Sequence, residues 1–229
     1  MAAQLTIDGL SRELDQGPST EPVAPLLRRA FERTNQEVYR MAHSADSETQ
    51  GMGSTAVLVL IRDRTADIAH VGDSRAYLLR KGKLRRMTTD HTRAQRMVEA
   101  AILTPEQARD HPSASVLERA VGIKPAVEVD LTQVHPLRKG DAILLCSDGL
   151  SGCVNDAEIE EVLKGGLPVA EIPKRLVDLA LLKGSKDNIT VQYLQYGRIK
   201  QGSSAKILRW TAVAAALLIG LIYLIMSLT

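Results

Sequence analysis

Three aspartates share a local setting, each where an apolar run meets a turn: Asp73 in HVGDSR, Asp148 in LLCSDG and Asp187 in SKDNIT. A short carboxylate at the end of a strand is aimed by rigid backbone, so several strand ends can serve one ligand. Oxygen donors without imidazole or thiolate partners suit Mg²⁺ or Mn²⁺, which keep several waters and bind through a few carboxylates. Taken singly, each aspartate is better explained as a turn residue bonding its own backbone. Taken as a set, they point to a divalent-cation site. His43, His70, His91, His111 and His135 show no metal-ligand spacing and read as structural. Cys146 and Cys153 form no CxxC pair, which argues against a zinc site or a disulfide framework and for reduced thiols.

The elements that must position these residues are visible in the periodicity. Pro22 to Met41 places Leu26, Leu27, Ala30, Phe31, Val38 and Met41 near helical spacing and predicts an amphipathic helix. Thr55 to Ile61 and Ala66 to Val71 flank Asp63 and Arg64 and predict a hairpin, and Arg75 to Met87 predicts a second one turning at Lys81 and Gly82. Helices are expected over Arg93 to Ala101, after a capping box at Thr104 with Gln107, after Asn155 with Glu158, and over Val169 to Lys183, closed by Gly184. Val127 to Val134 alternates like a half-buried strand, Ala142 to Cys146 reads as a central strand, and Ile189 to Tyr193 as the last one. Hairpins interrupted by helix pairs, without regular βαβ alternation, predict an α+β layered sandwich of two mainly antiparallel sheets.

Composition narrows the function classes. Twenty-nine basic against twenty-seven acidic residues leave almost no net field, and aromatic residues make up only 3%. Nucleic-acid binding is therefore not expected. Trp210 to Leu228 is uncharged and almost wholly apolar, a length that fits one bilayer span. Arg198, Lys200, Lys206 and Arg209 precede it, so the positive-inside rule places the preceding domain in the cytoplasm. The expected organisation is a domain over 1–197, a basic juxtamembrane linker over 198–209 and a single-pass carboxyl-terminal anchor over 210–229.

In order, GMGSTAV (Gly51 to Val57), VGDSRAYLLRKGKLRRMTTDHT (Val71 to Thr92), LLCSDGLSG (Leu144 to Gly152) and DNITV (Asp187 to Val191) resemble the bacterial members of the metal-dependent protein phosphatase family, type 2C. Singly these are ordinary turn strings; four in order are specific. The resemblance implies two facing antiparallel sheets flanked by helix pairs, with two or three Mg or Mn ions between the sheets. It also implies hydrolysis of phosphoserine and phosphothreonine by a metal-activated water. Phosphorylated proteins, Ser/Thr kinases or their substrates, become the expected partners. Asp148 and Asp187 resemble ligands of the second catalytic cation, and Asp73 the acidic ligand of a third, weaker one. Asn188 is expected to hold Asp187 from behind. His91 to Leu117 resembles the family's variable flap, Gly51 and Gly53 its structural glycine turn, and Arg75 a structural or solvated cation.

The family's opening strands, with a phosphate-binding arginine and a DGMGGH whose Asp bridges both catalytic cations, have no counterpart among these residues. Asp8 and Gly9 imitate the dipeptide without its surroundings, and AAQLTIDGLSREL resembles the helix that follows it. The chain is thus expected to begin inside the domain. Two functional readings stay open: an amino-terminally shortened phosphatase, or a noncatalytic, membrane-tethered module that binds phosphoproteins.

Overall fold

The computed structural model describes residues 1–18, 20–44 and 49–197. Two helices open the chain, α1 (Ala2–Gln16) and α2 (Val23–Ala42), followed by β1 (Ala56–Arg62), β2 (Thr65–Val71), β3 (Arg75–Arg80) and β4 (Lys83–Arg86). After α3 (Arg93–Glu99) and α4 (Pro105–Arg109) come β5 (Asp130–Val134), β6 (Ala142–Cys146) and the short α5 (Asp148–Ser151). Helices α6 (Asp156–Lys164) and α7 (Ile172–Leu182) precede β7 (Val191–Gln195).

The strands form two antiparallel sheets, ordered β1-β2-β5 and β4-β3-β6-β7. Alternation along β1 shows how they stack. Val57 and Val59 join Ile68 and Val134 in packing against Ala76, Leu78, Ile143 and Leu145 of the other sheet. Leu58 and Leu60 point the opposite way, into a cluster with Leu10, Leu27 and Phe31 of α1 and α2. On the far side of the second sheet Tyr77, Leu144 and Cys146 meet Ile159, Leu163 and Leu176 of α6 and α7. Strands covered on both faces need no polar positions, which is why β1 and β6 read as continuous apolar runs. The expected sandwich flanked by helix pairs is thus present.

Local chemistry explains most of the joints. Lys81 and Gly82 have φ of 52° and 72°, the paired positive values of the favoured hairpin turn. Both anticipated capping boxes form, at Thr104 with Gln107 and at Asn155 with Glu158. Gly184 closes α7 with φ 83°.

Several boundaries differ from the sequence expectation, among them the start of α7 at Ile172 rather than Val169. Strand β5 starts at Asp130 rather than Val127, because its partner ladder ends at His70 and the β2 chain swings away at Gly72, φ 104°. Strand β7 starts at Val191 rather than Ile189, because residues 188 to 190 are engaged by the Ser147 corner described below. Asp148 opens a four-residue helical turn, α5, rather than a plain turn.

The segment carrying α3 and α4 leaves and re-enters the body at one place. Thr92 bridges Leu117, the Arg93 amide donates to the Val116 carbonyl at 2.9 Å, and the Glu118 amide donates to the His91 carbonyl at 2.8 Å. Among the described residues no helix is long and apolar enough to cross a membrane; the anticipated span, Trp210 to Leu228, lies outside the described residues.

Candidate metal centre

Asp73 sits on the connection that carries the chain from one sheet to the other, between β2 and β3. The turn is possible because residue 72 is glycine: a Cβ there would lie 2.3 Å from Thr55 Cγ2. The Thr55 and Ser74 hydroxyls hydrogen-bond at 3.0 Å on one side of Asp73. On the other, the Arg75 guanidinium donates to both Asp90 carboxylate oxygens, at 2.7 Å through Nη2. Arg86 pairs with the same carboxylate. The backbone around Asp73 is fixed, yet its own Oδ1 is buried and has no hydrogen-bond partner. Burial, and then the nearby negative charges of Asp148 and Asp90, push the Asp73 carboxyl up to about 7.

Asp148 and Asp187 are brought together by an unusually close backbone approach. A Cβ on Gly149 would fall 2.4 Å from the Asn188 carbonyl oxygen, so only glycine lets α5 sit against that strand entrance. Ser147 stitches the contact: its hydroxyl donates to the Asn188 carbonyl at 3.1 Å and accepts from the Thr190 amide at 3.0 Å. The Ser185 hydroxyl donates to the Gly149 carbonyl at 2.8 Å. Asp148 Oδ1 is a second buried oxygen without a partner. Burial and then the charge of Asp187 raise its pKa.

Asp148 is therefore coupled to both of the other carboxylates: its charge raises Asp73, and the charge of Asp187 raises Asp148. No set of one oxygen from each of these three carboxylates lies within 4.8 Å of one another. Asp187 itself is exposed, and its Oδ1 accepts from the Asn188 amide at 2.6 Å. Asn188 touches Asp187 through its backbone N–H, and its side chain is exposed. The donor set fits Mg²⁺ or Mn²⁺. It is all oxygen, and two of its buried oxygens lack the hydrogen bond that such atoms nearly always have.

Sequence reasoning missed two groupings. Asp90 anchors both Arg75 and Arg86, and the TTDHT string that holds it was its signal. Arg75 is accordingly structural. The histidines have no metal-ligand spacing in sequence, but His70, His91 and Asp130 come from β2, a connection and β5 to place donor atoms within 4.8 Å of one another. The His91 ring stacks on His70, with centroids 4.6 Å apart. Its Nδ1 accepts from the Gly72 amide at 3.1 Å, so the proton of the neutral ring is on Nε2 and no lone pair remains there for a metal. Burial lowers the pKa of His91 and brings that of His70 down to about 4. The trio is a packed support: His70 stacks on His91, and Asp130 Oδ2 lies 3.2 Å from His91 Nε2.

Two facing antiparallel sheets, flanking helix pairs and a row of carboxylates at the sheet ends define a known class. A family profile described as protein phosphatase 2C matches residues 1–100. The serine/threonine phosphatase stp of Listeria innocua is 35% identical over 187 residues, covering 82% of this chain and 73% of that protein. The chain belongs to the protein phosphatase 2C family of serine/threonine phosphatases. Among solved structures, the Mycobacterium tuberculosis serine/threonine phosphatase PstP superposes with a TM-score of 0.75 at 39% identity, over 83% of this chain and 79% of that one. Stp1 from Staphylococcus aureus gives 0.78 at 30% identity, over 85% and 76%. A PstP catalytic domain solved in complex with two manganese ions gives 0.72 at 38% identity, over 83% and 78%.

Proposed function

We propose that this chain removes phosphate from phosphoserine and phosphothreonine in proteins, using Mg²⁺ or Mn²⁺ held by Asp73, Asp148 and Asp187. The single observation that carries this reading is the pair of buried carboxylate oxygens, Asp73 Oδ1 and Asp148 Oδ1, neither of which has a hydrogen-bond partner, with the charge of Asp148 raising Asp73. Bound cations supply activation of a water and neutralisation of charge developing on the phosphoryl oxygens. The chain's own residues do the rest. Gly149 and Ser147 fix the spacing of Asp148 from Asp187, while Gly72, Ser74 and Asp90 fix that of Asp73. Asp148 and Asp187 serve one catalytic cation in this reading, and Asp73 an auxiliary one.

The same reading places the domain at the cytoplasmic face of a membrane, tethered through residues 210–229, with Ser/Thr kinases or their substrates as partners. Its support is the uncharged run after the basic linker. Hydrolysis of a phosphothreonine peptide by the full chain should require manganese and vanish with chelator. Hydrolysis that is indifferent to chelator, or to Asp148→Asn, sinks the metal assignment. Extraction of the full chain from membranes without detergent sinks the tether.

A further inference from the structure

His91 makes more contacts with the Asp73 turn than a filler of the core requires. Its ring Nδ1 accepts from the Gly72 amide at 3.1 Å, and its own backbone amide donates to the Gly72 carbonyl at 3.0 Å. Gly72 is thus gripped at both of its polar groups by one residue, immediately before Asp73. The grip cannot be replaced by local backbone preference, because Gly72 has φ 104° and sits against Thr55. The ring is held in turn: it stacks on His70, its side chain is 2% exposed, and its Nε2 lies 3.2 Å from Asp130 Oδ2, outside hydrogen-bond alignment. Arg119 Nη1 donates to Asp130 Oδ1 at 2.7 Å and keeps that carboxylate in place. His91 also stands at the root of the α3–α4 segment, through the Glu118 amide that donates to its carbonyl.

We infer that His91 is a positioning residue for Asp73: its Nδ1 captures the Gly72 amide and fixes the direction of the Asp73 carboxylate, while the charge of Asp130, held by Arg119, favours the proton on Nε2 without a hydrogen bond to it. The inference rests on Asp73 being a cation ligand. Through the same residue the aim of that carboxylate is tied to the root of the α3–α4 segment. Polar groups behind a metal ligand commonly change affinity by about 10- to 100-fold when removed.

The geometry of the amide side chains supplies the test. Asn at position 91 can place an oxygen near the Nδ1 position, whereas the longer Gln reaches toward Nε2 instead. Manganese binding to the full chain, followed by calorimetry or by the free-ion spin resonance signal, should lose the Asp73-dependent ion by about tenfold or more in His91→Leu and His91→Gln. His91→Asn should recover it to within about threefold, and the KM for a phosphothreonine peptide should move less than the manganese concentration giving half-maximal rate. Nitrogen-15 spectra of the unsubstituted, metal-free chain should show His91 with its proton on Nε2, a readout independent of how well any variant folds. A proton on Nδ1, or rescue by Gln as good as by Asn, overturns the inference. So does wild-type manganese binding by His91→Leu when Asp73→Asn loses an ion. If Asp73→Asn itself binds manganese unchanged, the ligand assignment fails, and this inference with it.

Discussion

The two ends of the carboxylate row are built in opposite ways. Asp73 is 6% exposed, on a turn gripped by His91, Thr55 and the Asp90 knot, and its buried Oδ1 has no partner. Asp187 is exposed, satisfies one oxygen with the next residue's amide, and owes its place to the backbone packing of Gly149 on Asn188. A buried, unpartnered carboxylate depends on a cation for its charge; an exposed one that already has a donor and water does not. Asp148, between them, shares both characters. Rigid support and electrostatic need thus go together at one end of the site and are both relaxed at the other.

The sharpest way to break this contrast is activity. Asp148→Asn should lower the manganese-dependent rate on a phosphothreonine peptide by a factor on the order of 10³. Asp187→Asn should cost less, on the order of tenfold, because water can take its place. Equal losses would mean that exposure does not grade the ligands. Stability against pH comes next. An acid whose pKa is raised on folding supports the folded state while protonated. That support is complete below the unfolded carboxyl value near 4 and is lost as pH climbs through about 7. In chelator, the Asp73 contribution to stability should therefore fall by a few kcal/mol between about pH 4 and 7, read as the difference between the unsubstituted chain and Asp73→Asn, because the lowered pKa of buried His70 makes stability rise over the same range in both. Manganese should restore the lost contribution near neutrality; a pH dependence identical in the two chains places the titration elsewhere.

Smaller effects probe the Asp187 end. Gly149→Ala forces a Cβ onto the Asn188 carbonyl and should destabilise the chain by about 1–3 kcal/mol in denaturant melts, with the catalytic rate falling alongside. Asn188→Ala keeps the amide that touches Asp187, so its change in stability should stay within about 0.5 kcal/mol. A larger loss would return a role to the Asn188 side chain.

Much of this was legible in the sequence where one residue's own preferences decide the outcome. The capping boxes at Thr104 and Asn155, the Lys81–Gly82 turn and the apolar β6 run required no knowledge of partners. Asp73, Asp148 and Asp187 stood out because each follows or precedes a strand in a turn-forming string. What sequence could not reveal was contact between segments. Asp130 lies 39 positions beyond His91, as numbered, and the pairing depends on β5 docking beside β2. The role of Gly149 likewise depends on the later arrival of Asn188. Strand starts at Asp130 and Val191 moved for the same reason: a strand begins where its neighbour offers a ladder, and that neighbour is remote.

The bridge between Thr92 and Leu117 has a consequence for what this domain can tolerate. Because the chain departs and returns at one closed gate, everything between those residues is a loop whose ends are already joined. Lengthening such a loop costs only the entropy of closing a longer ring, about 0.6 kcal/mol for each doubling. Residues 93–116 can therefore be extended, trimmed or exchanged with little strain passed to the sheets.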